Sequence, residues 1–190
     1  MAEKIDIDKP KAIVVNLFGA PGTGKSTGAA YVFAKLKMAG VDAELVTEFA
    51  KDKTWEHNSM VLSNQFYVFG KQNFRLARVA NQVEVVVTDS PLILSNYYAG
   101  DDPVMDNFKK SCIDAFNIYN NVNFLLKRVK PYNPNGRRQT EAESDQIHLI
   151  IQKMIEDEGL QYYMINGDEA GYNSIVEIIL EKIKKSRQNA

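Results

Sequence analysis

Short apolar runs alternate along the chain with longer segments of helical period. The runs at 12–18 (AIVVNLF), 43–47 (AELVT), 83–88 (VEVVVT), 121–129 (NVNFLLKRV) and 160–166 (LQYYMIN) read as strands. Most are apolar at successive positions, which suits strands covered on both faces of a parallel sheet. Between them, Lys25 to Met38 has a helical pattern that stops at Gly40, and 63–81 and 102–120 have two more, the last with ends blurred by Pro103 and asparagines. Thr140 and Glu143 predict a capping box for a helix with the stripe Ile147, Ile150, Ile151, Met154 and Ile155, ended by Gly159. Ser174 and Glu177 predict the cap of a last helix striped by Ile175, Val176, Ile179, Leu180 and Ile183. This alternation predicts an α/β three-layer sandwich around a mostly parallel five-stranded sheet. No repeat or linker divides the chain, so residues 1–190 are expected to form a single domain. Strand order is not readable from the pattern.

Composition changes this picture little. Hydrophobic residues make up 45% of 190 residues, enough for a substantial core, and the net charge of −1 gives no global reason to bind nucleic acid or an anionic membrane. The lone Cys112 can form no intramolecular disulfide and is expected to be a buried thiol in a reducing compartment. The mixed-charge start MAEKIDIDKPK has no apolar leader and no run reaches membrane-spanning length, so a soluble, cytoplasmic protein with no membrane partner is expected. His57 and His148 are too scattered for a metal site and are expected on the surface.

One stretch carries chemistry. Gly19, Ala20, Pro21, Gly22, Thr23, Gly24, Lys25 and Ser26, followed by Thr27, match G-x-x-x-x-G-K-[ST] between a hydrophobic strand and a helix. Such a loop wraps phosphate in backbone N–H groups, and the helix behind it aims its N-terminus at the anion. Lys25 is expected to reach the β- and γ-phosphates of ATP and Ser26 to hold Mg²⁺. The fold class is therefore expected to be a P-loop NTPase sandwich.

Other residues complete a candidate site. Asp89, at the end of VVVTD, is the expected second magnesium ligand. Water-using ATPases commonly carry an acid directly after this position; here it is Ser90, which weighs against a motor and for a phosphotransferase. Glu48, at the end of the second strand, is the expected base, with Asp52 a weaker competitor, because strand carboxyl ends line the ligand crevice of such sheets. The basic, Pro/Asn-rich segment containing Lys127, Arg128, Lys130, Arg137 and Arg138 is the expected lid, at about 127–145. Arg137 and Arg138 are expected to close over the transferred phosphoryl group. A groove for a nucleic-acid backbone is a further reading of these cations. Segment 49–78 should furnish the acceptor pocket, with Gln65, Gln72, Lys71, Arg75 and Arg78 as donors. Its aromatics Trp55, Phe66, Tyr67, Phe69 and Phe74 are expected mainly in the core, with a stacking face for a base as the alternative.

Taken together, VVNLFGAPGTGKST, ELVTEFAKD, VVVTDSPL and FLLKRVKPYNPNGRRQTEAE resemble small P-loop kinases of bacteriophage genomes, labelled thymidylate-kinase-like or AAA-domain proteins. The resemblance spans about residues 11–170. The phosphate loop alone is generic; its combination with RVKPYNPNGR is much more specific. That group includes the 5-hydroxymethyldeoxyuridine DNA kinases, and ribosylnicotinamide kinase domains resemble it more distantly. The resemblance implies ATP and Mg²⁺ as cofactors, a nucleoside-type acceptor, and adenine resting near Gly167 and Asp168 after the last strand. Thymidylate kinases usually follow the strand-end Asp with Arg and carry another Arg on the preceding helix; here Ser90 and Asn73 stand near those places. Without these forks a monophosphate acceptor is poorly held. The balance moves toward a hydroxyl acceptor, 5-hydroxymethyluracil in DNA foremost. A free nucleoside, ribosylnicotinamide or a deoxynucleoside monophosphate is the enzymatic alternative. An ATP-binding switch or ATPase is the alternative of another class. Oligomeric state is not readable.

Overall fold

The computed structural model describes residues 12–100, 102–135 and 139–188. Five strands form one sheet: β1 (Ile13–Phe18), β2 (Ala43–Val46), β3 (Val85–Thr88), β4 (Asn120–Lys127) and β5 (Tyr162–Asn166). All neighbours are parallel, in the order β2-β3-β1-β4-β5. The helices are α1 (Lys25–Met38), α2 (Phe49–Trp55), α3 (Ser59–Ser63), α4 (Gln65–Ala80), α5 (Leu94–Tyr98), α6 (Asp106–Asn117), α7 (Glu141–Asp157) and α8 (Glu169–Gln188). The five-stranded α/β sandwich expected from the alternating pattern is thus what the chain forms. No described helix is long and apolar enough to cross a membrane.

The central strand explains the layers. Every residue of β1 is buried, and its side chains alternate between two separate cores. Ile13, Val15 and Leu17 meet Val32 and Leu36 of α1 and Ile175, Ile179 and Ile183 of α8. Val14 and Phe18 meet Leu76 of α4, Phe116 of α6 and Ile147, Ile151 and Ile155 of α7. Between Val14 and Phe18 sits a polar exception. The Asn16 amide donates to Asn121 Oδ1 (2.8 Å) and Asn123 Oδ1 (3.0 Å), and Asn123 in turn donates to the Gln161 carbonyl (3.0 Å). A buried amide that finds its partners in one alignment only penalises slippage of β1 against β4. Cys112 is fully buried, and burial pushes its thiol up to about 12, so it stays protonated.

Several elements differ from the sequence expectation. The segment 63–81 is not one helix: Asn64 leaves helical geometry, accepts from the Tyr67 N–H (3.1 Å) and caps α4, after the separate turn of α3. The expected helix 102–120 is a 3₁₀ turn at Pro103–Met105 followed by α6, and Asn120 already belongs to β4. Ser174 does not start the last helix. α8 begins at Glu169, the Asp168 carboxylate accepts from the Gly171 N–H (2.8 Å), and the Ser174 hydroxyl donates back to the Ala170 carbonyl (3.1 Å). The capping box of Thr140 and Glu143 is present as expected. In the α7 stripe, Ile150 faces outward at 48% exposure while Ile147, Ile151 and Ile155 are buried. His148 is half-buried, not a surface residue; burial pushes its pKa down, and Nδ1 has no partner among the described residues.

The contact between α1 and α8 is close because Gly28 has no side chain. A Cβ there would lie 2.6 Å from the Tyr172 ring. Gly28→Ala gains up to about 1 kcal/mol of helix propensity, but overpacking a filled core costs roughly 1–3 kcal/mol. A net loss of stability of about 1 kcal/mol is expected, read as a lower denaturation midpoint, and a gain would mean that the ring moves aside freely.

Candidate functional site

The glycine-rich loop joins β1 to α1 at the carboxyl edge of the sheet. Gly24 is the residue before α1 and has φ 98°, and a Cβ there would lie 2.3 Å from Tyr172 Oη. Only glycine combines that backbone angle with that approach. The loop is tied from within and from outside. The Thr23 hydroxyl donates to the Ala20 carbonyl (2.9 Å), Tyr172 Oη to the Gly24 carbonyl (3.0 Å), and Ser144 Oγ of α7 to the Pro21 carbonyl (2.6 Å). Lys25 Nζ donates to the Gly19 (2.7 Å) and Ala20 (3.2 Å) carbonyls, so its ammonium lies against the concave loop.

Asp89 follows β3 and is 3% exposed. Its Oδ1 accepts from the Glu48 N–H (3.0 Å), which ties the ends of β2 and β3 together. Glu48 is the residue before α2, in extended conformation, and its side chain does not cap that helix. The carboxyl instead lines a cavity of about 520 Å³ shared with Gly19, Lys25, Ser26 and Asp89. Desolvation raises the Glu48 pKa above its ordinary 4.5; Lys25 opposes this, the Asp89 charge adds to it, and Lys51 opposes it. A carboxylate destabilised in this way is a better proton acceptor than an exposed one.

The expected site residues therefore largely converge. Gly19, Pro21, Gly22, Gly24, Lys25, Ser26 and Thr27 line the cavity, together with Glu48 and Asp89. Ala20 and Thr23 are buried. Gly167 and Asp168 are not among the lining residues: the Gly167 N–H donates to the Lys127 carbonyl (2.8 Å), and Asp168 caps α8. Arg137 and Arg138 lie outside the described residues. Arg128, expected as a lid cation, is engaged instead by Glu141 (2.5 Å) and Asp145 at the start of α7, with its guanidinium over the Tyr132 ring. Asp52 pairs with Arg75 (2.7 Å), so it is no competitor to Glu48. Gln72 and Arg75, expected as acceptor donors, support the β2–α2 turn. Gln72 accepts from the Phe49 N–H (2.9 Å), and Arg75 donates to the Thr47 carbonyl (3.2 Å).

The aromatic expectation holds for Phe69, which packs against a core, and fails for the others. Trp55, Phe66 and Phe74 are 62%, 61% and 67% exposed, not core. Trp55 lines the cavity, whereas Phe66 and Phe69 contact Phe108 of α6. The sequence reading also missed Lys51 and Tyr98. Lys51 Nζ donates to Ser26 Oγ (3.1 Å). It stands three residues after Glu48, and that i, i+3 spacing at a helix start was the available signal. Tyr98 lines the cavity from α5, and its hydroxyl is pushed up by burial first and the Glu48 charge second.

Ser26 and Asp89 bring a hydroxyl and a carboxylate to one cavity beside the phosphate loop. Together with phosphate oxygens and water, that is a donor set magnesium accepts. Among the described residues no group of three His, Cys, Asp or Glu side chains forms a metal cage of its own.

A family model described as an AAA domain matches residues 14–170, and the chain belongs to that family, which is of the P-loop nucleotide-binding type. No curated protein gives a significant match. Nucleotide capture at this loop makes a direct prediction. ATP with magnesium is expected to raise the melting temperature of the wild-type protein, by the linkage of binding to folding. Lys25→Ala is expected to lose most of that rise while melting normally without nucleotide.

Proposed function

We propose that this AAA-domain protein transfers the γ-phosphoryl group of ATP to a hydroxyl of a nucleoside-type acceptor. The foremost acceptor is 5-hydroxymethyluracil in DNA. The observation that carries the reading is the convergence of the phosphate loop, Asp89 and a desolvated Glu48 on one cavity larger than a triphosphate tail requires. In this scheme Lys25 and the backbone amides of residues 20–27 bind the phosphates. Ser26 and Asp89 would hold Mg²⁺, which would supply neutralisation of the charge on the phosphates. Glu48 orients the acceptor hydroxyl and takes its proton. The new bond forms between that oxygen and the γ-phosphorus, the bond to the β-bridging oxygen breaks, and ADP leaves. Arg137 and Arg138, on the segment before α7, are proposed to close over the migrating group, whose charge needs fixed cations.

The acceptor assignment rests on the resemblance to phage kinases and on Ser90 and Asn73 standing where thymidylate kinases carry arginine. In support, the Asn73 amide oxygen accepts from Tyr119 Oη (3.4 Å) within the fold. Family membership is equally consistent with hydrolysis, in which water replaces the acceptor beside Glu48. An acceptor panel separates the two. With labelled γ-phosphate, hydroxymethyluracil-containing DNA is expected to take label, ahead of free nucleosides and mononucleotides. Labelling of dTMP or dGMP alone would exclude the DNA acceptor, and phosphate release with no labelled product would exclude transfer.

The proposed base makes a second prediction. Transfer should rise with pH through a pKa above 4.5, because the active form of Glu48 is the ionised one and burial raises its pKa. Glu48→Gln should slow transfer by about 10²–10⁴-fold, remove that acid limb and leave ATP affinity nearly intact. A wild-type rate in this variant would mean that another group accepts the proton.

A further inference from the structure

Beyond the phosphate loop the cavity is walled by Trp55, Leu62, Val68, Leu94 and Tyr98, so apolar and aromatic surface faces it from α2 through α5. Gln65, the first residue of α4, lines this region and also a smaller recess of about 20 Å³ beside it. Its amide has a fixed orientation. Nε2 donates to the Leu62 carbonyl (2.8 Å), which puts Oε1 on the other side of the group. Oε1 is buried and has no hydrogen-bond partner among the described residues. A buried carbonyl oxygen without a donor is unfavourable, and native structures keep few of them. Here the orphan belongs to a residue that lines a cavity, where a bound molecule can supply the missing hydrogen once a small turn of the side chain uncovers the oxygen.

The surroundings restrict what that molecule is. The apolar and aromatic walls at this end of the cavity favour a flat, neutral ring over an ion. An acceptor-only atom selects against rings that present nothing but lone pairs, because two facing lone pairs leave both groups unsatisfied. We propose that Gln65 is the specificity-determining residue of an acceptor subsite that takes a neutral, flat heterocycle whose ring N–H donates to Gln65 Oε1. The inference rests on the phosphotransfer reading for the word acceptor only, since the binding it describes needs no transfer. Discrimination of this kind is strong because the wrong ligand leaves a buried polar atom unpaired.

Trp55 is the chain's only tryptophan and lines the subsite, so its fluorescence reports occupancy directly. The probes are 5-hydroxymethyl-2′-deoxyuridine and its N3-methyl derivative, which lacks the ring N–H, titrated into wild type, Gln65→Leu and Gln65→Met. Melting temperature and ATP binding check that each variant is folded, and two apolar replacements guard against one failing. Wild type should bind the parent nucleoside about tenfold or more tighter than the methylated one, and the folded variants should bind the two alike. Equal binding of both probes by wild type, absence of any Trp55 response, or selectivity that survives in the variants would overturn the proposal. Selective binding through Gln65 without phosphate transfer would sink the kinase reading and leave the subsite standing. Transfer without Gln65-dependent selectivity would do the reverse.

Discussion

A loop that grips phosphate with its backbone must give up most of its side chains, and a chain without side chains does not hold its own shape. That constraint organises the molecule. The turn from β1 to α1 is anchored by groups supplied from far along the sequence: Ser144 on the Pro21 carbonyl, Tyr172 on the Gly24 carbonyl, and Gly167, where a Cβ would meet the Thr23 carbonyl at 2.1 Å. The two hydroxyls donate to carbonyls of the loop and Gly167 packs against its backbone, so the loop is fixed by contacts that use its carbonyls and leave its N–H groups for an anion. The entropy that glycines would otherwise add to the folded loop is removed by α7, α8 and β5. The segment after β4 joins this scaffold, because Arg128 is fastened to the first turns of α7, the helix that also carries Ser144.

The second half of the site follows from where parallel strands end. β2 and β3 terminate side by side, so Glu48 and Asp89 are brought together as two carboxylates at one edge. Their mutual repulsion is tolerated because the Glu48 backbone N–H donates to Asp89, and because Lys25 and Lys51 stand near. The same arrangement separates their roles. Asp89 is held as an acceptor with a fixed position, while the Glu48 side chain is left desolvated and does not cap α2. Gln72 and Arg75 of α4 brace the turn that presents Glu48, so residues that look like ligand donors are spent on geometry.

Legibility in the sequence followed the range of the interaction. The strand, loop and start of α1 occupy adjacent residues, and their spacing is dictated by phosphate, so they were readable, as was the local capping box at Thr140. The exposed aromatics were misread because helical spacing says that residues share a face without saying whether another element covers it. Trp55 on α2 faces the cavity, and Phe66 and Phe74 on α4 stay exposed although Phe66 also touches Phe108 of α6. The partners of Arg128 were not readable because its two carboxylates lie thirteen and seventeen residues away, across a segment with no periodicity.

By itself, then, the chain order of apolar runs and one glycine-lysine motif determined an α/β sheet with a phosphate-binding type of loop at its front edge, because those properties are local and periodic. The strand order, the meeting of Lys51 with Ser26, the release of Asp52 from the site by Arg75, and the orphaned oxygen of Gln65 were decided only by the tertiary structure. Each of these depends on which elements the crossover connections bring together, and no pattern within a single element encodes its neighbours.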